Sequence, residues 1–371
     1  MAAVAARLFQ NWRASSAPVL LTHARNASVL CHKLEFKDYG NPLEVISKVE
    51  EEVSDDLEPK QVLVKMLAAP LNPADINTVQ GTYAVKPDSF PAVLGNEGLG
   101  EVVACGSKVT QMEPGDWVIP FLNEFGTCRS HAVAAEEDVV KIRNTVPLVE
   151  AATLSVNPCT AFRMLHDFVR LEEDDVVIQN GANSAVGQAV IQLCRVYGYR
   201  SVNVVRARED LEEVRQHLTG LGATVVLTEE ELRTTPLFRS GDLPKPRLGL
   251  NCVGGASATE VARQLATSGT LVTYGAMSRA PLTVPTAQLI FRDLRVRAFW
   301  MTRWTRQHSV ARARWEMLDE LQTLCEHKYL RAPRYQLVHI DDWRQAVSRT
   351  MPGGGRVGAK QILTFDRQLT V

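Results

Sequence analysis

From about residue 175 onward the chain alternates short apolar runs with amphipathic stretches, and this alternation restricts its fold more than any other feature. Residues 175–179 read as a strand, and 181–187 form a turn of small residues. Residues 188–196 then read as a helix with Ala189, Val190, Leu193 and Val196 apolar. A second strand follows at 201–205, helix-like text at 210–221, and a third strand at 223–227 after Gly222. Residues 248–253 and 270–274 continue the pattern. Short apolar strands separated by amphipathic helices are what a parallel sheet covered on both faces requires. The expectation is an α/β, doubly wound parallel sheet of the Rossmann type.

Before residue 150 the text has a different rhythm. Residues 61–66 alternate as a half-buried strand does, 99–104 form another, and the turn 113–116 leads into a strand at 117–120. Short strands punctuated by Gly and Pro suggest a small β-barrel. The end of the chain, 360–365, reads as a strand free to rejoin that first unit. A length of 371 residues allows about two domains. We divide it into a leader (1–27), a strand-rich unit (28–155), an alternating unit (156–330) and a return to the first unit (331–371).

Charge is balanced overall, 41 Lys and Arg against 42 Asp and Glu, which argues against a generally basic nucleic-acid binder. No apolar run approaches the roughly 20 residues of a membrane span. Seven cysteines without a Cys-x-x-Cys pair argue against a disulfide framework or a structural zinc site. The balance hides an uneven start. The first acidic residue is Glu35, preceded by Arg7, Arg13, Arg25 and Lys33, and Val4, Leu8 and Trp12 stand at helical spacing. That profile predicts a mitochondrial transit peptide and a matrix protein. Taking Arg7, Arg13 and Arg25 from the 41 basic residues leaves 38 against 42 acidic.

Residues 179–187 lie between a strand and a helix, the context a dinucleotide turn needs. Small residues let the backbone approach a pyrophosphate, and the helix start offers N–H groups. Ala185 stands where such a turn often has Gly, so a tight turn without ligand is the competing reading. At the end of the second strand, NAD-binding chains usually place Asp or Glu. Here the chain reads Arg206-Ala207-Arg208, two guanidinium groups suited to a 2′-phosphate, which favours NADP. Glu209 and Asp210 follow them.

Several motifs carry a resemblance: Asn72-Pro73-Ala74-Asp75-Ile76-Asn77, Gly95-Asn96-Glu97-Gly98, Pro114-Gly115-Asp116-Trp117-Val118 and Ala151-Ala152-Thr153-Leu154. With Gln80-Gly81-Thr82-Tyr83, Asn157-Pro158-Cys159, Tyr274-Gly275-Ala276-Met277, Phe299-Trp300 and Lys360-Gln361-Ile362, the chain from residue 30 resembles the zinc-independent, quinone oxidoreductase-like branch of the medium-chain dehydrogenase/reductase superfamily. Within that branch it is similar to the mitochondrial trans-2-enoyl-CoA reductases. The resemblance implies a GroES-like β-barrel catalytic domain beside the Rossmann domain, NADPH as cofactor, and an enoyl-CoA or enoyl-acyl carrier protein as substrate. It implies hydride delivery to the β-carbon, a proton from Tyr83 to the α-carbon, a role in fatty acid synthesis, and a homodimer joined near residues 270–299. It maps cofactor contacts to Asn157, Asn183, Ser184, Ala185, Val186, Arg206, Ala207, Arg208, Tyr274, Gly275, Ala276, Met277, Phe299, Trp300, Met301 and Lys360.

No metal is expected. Zinc-dependent relatives use a His where this chain has Asn96, and no Cys lies in the 70s. An amide is a poor zinc ligand beside imidazole or thiolate.

Blander readings stand beside these. Tyr83 also reads as a pocket-rim side chain, Phe299-Trp300 as core, and Lys360 as a solvated cation. Ala207 and Ala276 offer backbone groups only. Arg292, Arg295, Arg297, Arg303, Arg306, Arg312 and Arg314 have only Asp293 opposing them in sequence. They suit coenzyme A phosphates or an acidic carrier protein, and equally a solvated surface. A quinone or enone reductase, and a non-catalytic NADPH sensor, remain the alternatives on sequence.

Overall fold

The computed structural model describes residues 28–309, 311–351 and 359–370. The leader expected at 1–27 lies outside the described residues. The second half forms a six-stranded sheet. Its strands run in spatial order Val225–Thr228, Arg200–Val205, Val176–Asn180, Leu248–Asn251, Thr270–Thr273 and Arg295–Ala298. Every pairing in it is parallel. The sheet therefore reverses direction of travel beside Val176–Asn180, the switch point at which such sheets bind ligands beyond their carboxyl ends. Val176–Asn180 and Leu248–Asn251 are buried throughout, as strands covered on both faces should be.

Most strand limits shift by a residue or a few, and two of the boundary changes have an identifiable local cause. The helix after the turn is Ala185–Val196, three residues earlier than the apolar pattern suggests, because Ser184 caps it by accepting from the Gly187 N–H at 3.1 Å. The strand expected at 248–253 stops at Asn251, whose Oδ1 accepts from Val253 and Gly254 N–H and bends the chain.

The first half builds a three-stranded sheet and, joined by Tyr335–His339 and Lys360–Thr364, a seven-stranded one. The long strand Gln61–Pro70 is central, pairing antiparallel with Leu99–Cys105 and His131–Ala135. Lys360–Thr364 pairs antiparallel with the far end of Gln61–Pro70 and parallel with Tyr335–His339. The carboxyl terminus thus closes onto the first unit, and the nucleotide sheet is an insertion between two parts of one sheet.

The largest apolar cluster joins the two halves. It includes Leu99, Ile119 and Ile142 from the first unit, Phe162 and Leu165 from the helix Asn157–His166, and Val190, Leu193, Trp304 and Leu321 beyond it. Burial of that extent holds the halves in one arrangement. Among the described residues no helix is long and apolar enough to cross a membrane.

Candidate active site

At the nucleotide turn, geometry is set by close backbone approach. Gly181 has φ +61°, and a Cβ there would lie 2.5 Å from the Cys252 sulfur. A Cβ on Gly187 would meet the Ala182 carbonyl oxygen at 2.5 Å. Gln179 Nε2 donates to the Gly187 carbonyl at 2.9 Å and ties strand to helix. Ser184 occupies one first-turn N–H, so helix geometry leaves those of Ala185 and Val186 directed out of the helix start. Asn183 is held through its carbonyl, which accepts from Gln188.

Tyr274 to Met277 come to the same place. The Tyr274 ring leaves Thr270–Thr273, and its hydroxyl is buried beside Ser184 and Cys252 with no hydrogen bond of ordinary geometry. Burial pushes the pKa of that phenol well up. Met277 N–H donates to the Cys252 carbonyl, and a Cβ on Gly275 would sit 3.1 Å from the same oxygen. Ala276 and Met277 are exposed. Next door, Arg206, Ala207 and Arg208 follow Arg200–Val205. Arg206 is exposed, whereas Arg208 Nε pairs with Asp210 at 2.7 Å.

Tyr83 sits in a separate corner. Its N–H and that of Thr82 both donate to the Asn77 carbonyl at the end of the helix Pro73–Val79. Gly81, φ +71°, turns the chain so closely over Tyr39 that a Cβ would lie 2.9 Å from its ring. The deciding contact comes from across the molecule: Trp300 Nε1 donates to the Tyr83 oxygen at 3.0 Å, with the rings edge to face. Phe299 and Met301, which flank Trp300, are core residues, and Phe299 packs edge to face on Phe168. Of those three side chains, only Trp300 faces the candidate site.

Asn157 and Lys360 meet in a buried polar web that sequence reasoning did not assemble. Lys360 Nζ donates to Asn72 Oδ1 at 2.6 Å and lies 3.3 Å from Glu97 Oε1. Asn72 Nδ2 donates to Glu97 at 2.8 Å, and Asn157 Nδ2 lies 3.5 Å from Asn72 Oδ1. Asp75 accepts from the Asn72 N–H and from Asn96 Nδ2, each at 2.6 Å. Burial raises the Asp75 pKa to about 6, helped by the nearby Glu97 charge and opposed by the donors and Lys360. Asn96 therefore serves as a donor to a carboxylate. Asp75 and Asn96 also line a cavity of about 470 Å³ together with Val85, Leu122 and Phe125.

Two family models match the chain: an alcohol dehydrogenase GroES-like domain over residues 58–149 and a zinc-binding dehydrogenase over 185–320. The mitochondrial enoyl-acyl-carrier-protein reductase of Rattus norvegicus is 47% identical over 335 residues, covering 90% of this chain and 88% of that protein. The chain belongs to the mitochondrial enoyl-acyl-carrier-protein reductase family. Solved structures agree. An Etr1p complex with NADP and crotonyl-CoA superposes with a TM-score of 0.83 at 32% identity, covering 91% of this chain and all of the other. The mitochondrial 2-enoyl thioester reductase Etr1p/Etr2p heterodimer from Candida tropicalis gives 0.84 at 33% identity, with the same coverage.

For a member of this reductase family, the arginine run divides in a way its sequence did not reveal. Arg314 is buried, donates to the Phe121 carbonyl at 2.6 Å and stacks over the Phe121 ring. Arg306 pairs with Glu124 and Arg312 with Glu316, so acids from other positions join Asp293 in opposing the run. Arg297 and Arg303 are exposed. His308 and His327, without visible partners in sequence, hydrogen-bond the carbonyls of Trp304 and Thr323. Glu97, Asn72 and Asp75 are the site residues that sequence reasoning missed. The spacing Asn72-x-x-Asp75 before a helix was a readable capping signal for one of their bonds. Among the described residues no group of three or more His, Cys, Asp or Glu is placed to hold a metal.

Proposed function

We propose that this chain reduces the 2,3 double bond of enoyl thioesters with NADPH, in mitochondrial fatty acid synthesis. The family and the NADP–crotonyl-CoA complex of its structural relative support the reaction. The contact between Trp300 and Tyr83 supports the assignment of roles.

The nucleotide turn fits the cofactor. Gly181 and Gly187 let the turn pack closely on Cys252 and Ala182, and Tyr274 holds a buried hydroxyl beside Ser184 with no hydrogen bond of ordinary geometry. The N–H groups of Ala185 and Val186, with Asn183 and Ser184, suit the pyrophosphate. Arg206, Ala207 and Arg208 suit the 2′-phosphate, and Gly275 to Met277, Asn157, Trp300 and Lys360 the remainder. Phe299 and Met301 act through their backbone, since their side chains lie in the core. Bound NADPH supplies the hydride to the β-carbon.

An indole N–H only donates, so at 3.0 Å the Tyr83 oxygen accepts from Trp300 and directs its own proton elsewhere. Tyr83 thus holds a proton at Oη for the α-carbon. The thioester oxygen gathers charge as the double bond is reduced, and nearby donors stabilise it.

We place the domain limits at 28–155, 156–330 and 331–371, after a leader of 1–27. We also propose a homodimer. Leu289, Ile290 and Val296 are exposed with Phe291, which is 80% exposed, beside the unpaired edge of Arg295–Ala298. Exposed apolar side chains beside a sheet edge support a contact between two copies of the chain.

The test is NADPH oxidation by purified protein with crotonyl-CoA, with a quinone, and with neither. Turnover with the thioester alone is expected. Turnover with the quinone alone, or with none, overturns the reading.

A further inference from the structure

Glu97 has no exposed surface, yet four elements distant in sequence converge on it. Its Oε1 takes Asn72 Nδ2 at 2.8 Å and faces Lys360 Nζ at 3.3 Å. Its Oε2 takes the Val156 N–H at 3.1 Å, the residue immediately before Asn157. Its own carbonyl accepts from Thr127 Oγ1 at 2.7 Å, which fixes the loop that carries it. One carboxylate therefore sets both the start of the helix Asn157–His166 and the head group of the strand Lys360–Thr364.

The ammonium of Lys360 has three N–H bonds. Asn72 Oδ1 takes one and Glu97 Oε1 attracts a second. The direction of the third follows from those two. Asn157 is constrained from both sides, by the Val156 N–H on Glu97 and by its own amide against Asn72. A buried charge pair of this kind defines one arrangement more than it adds stability.

We propose that Glu97 is a positioning residue for the cofactor: it aims Lys360 and Asn157 together at the nicotinamide half of NADPH. This rests on the assignment of those two residues as cofactor contacts. Glu97 itself touches no substrate. Losing its charge should release both contacts at once, so its effect should overlap with that of Lys360 and not add to it.

The experiment measures NADPH affinity directly, by fluorescence of the bound dihydronicotinamide, in wild type, Glu97→Gln, Lys360→Met and the double variant, with KM and kcat for crotonyl-CoA reduction alongside. Each single variant is expected to weaken NADPH binding about tenfold. The double variant should be no weaker than the weaker single. Glu97→Asp, which keeps the charge on a shorter arm, should recover part of the affinity and serves if Glu97→Gln does not fold. Unchanged affinity in whichever Glu97 variant folds, or losses that multiply in the double variant, overturns the proposal. Wild-type protein that fails to bind NADPH overturns instead the reading on which it rests.

Discussion

Around Ser184 the bonds that tie strand to helix lie within eight residues, from Gln179 to Gly187, with Cys252 of a neighbouring segment packed on Gly181, whereas the contact that defines Tyr83 comes from Trp300, 217 residues away. The first site is made of backbone. Its requirements are the absence of a Cβ at two glycines and a cap at Ser184, and any chain with those residues between a strand and a helix forms much the same cradle. The second exists only once two halves of the molecule are packed together. The pyrophosphate cradle can therefore be local while proton delivery depends on the whole fold.

The sharpest test removes one oxygen. Tyr83→Phe keeps the ring and its packing on Trp300 but deletes the proton and the acceptor of the indole N–H. A positioned general acid contributes about 100- to 10,000-fold. Turnover of crotonyl-CoA should fall by at least about 100-fold, with NADPH affinity nearly unchanged because the nucleotide turn is untouched. Turnover within about threefold of wild type would remove Tyr83 from the role and leave it a rim residue. A parallel loss of NADPH affinity would show that the two sites are not separable.

The same contrast explains what the sequence made legible. The alternation after residue 175 shows through because each element carries its own periodicity, and the parallel order follows from covered strands. The acids beside Arg208 were in view, though nothing in the sequence chose Asp210 over Glu209 as its partner. The polar web was not. Asn72, Glu97, Asn157 and Lys360 come from four separate segments, and nothing local to Lys360 distinguishes a solvated cation from one buried against a carboxylate. The burial of Phe299 and Met301 on either side of Trp300 was hidden for the same reason. Three adjacent apolar residues have no readable facing until the helix Met301–Gln307 is docked.

Asp75 lies between these extremes, with one local donor, the Asn72 N–H, and one from a distant loop, Asn96. Its pKa rises from 3.8 unfolded to about 6 folded. Between those values the native state binds more protons than the unfolded one, so this contribution is present at low pH and is lost as pH rises through about 4 to 6. At about 1.4 kcal/mol per pH unit, the difference amounts to about 3 kcal/mol. Stability measured by denaturant titration from pH 4 to 7, compared between wild type and Asp75→Asn, should show this downward component in wild type alone. Curves of identical shape would mean that Asp75 titrates alike in the folded and unfolded states, with the Asn72 and Asn96 donors offsetting its burial.

The smallest expected effect separates two arginines that look equivalent in sequence. Arg206 is exposed at the end of its strand, while Arg208 is held by Asp210. A dianionic 2′-phosphate must draw Arg208 away from that carboxylate or share it, whereas engagement of Arg206 breaks no ion pair recorded in the structure. Arg206→Ala should therefore raise KM for NADPH about tenfold and Arg208→Ala less, with KM for NADH nearly constant in both. Asp210→Asn should lower KM for NADPH by a few-fold, because it frees Arg208 and removes a like charge from the phosphate. The side chain of Asp210 makes no cap bond to its helix, so this change spares the fold. If Arg208→Ala and Arg206→Ala act equally on NADPH, the ion pair is no obstacle to binding. If both act equally on NADH, the two guanidinium groups do not read the 2′-phosphate, and the preference must reside in the turn itself.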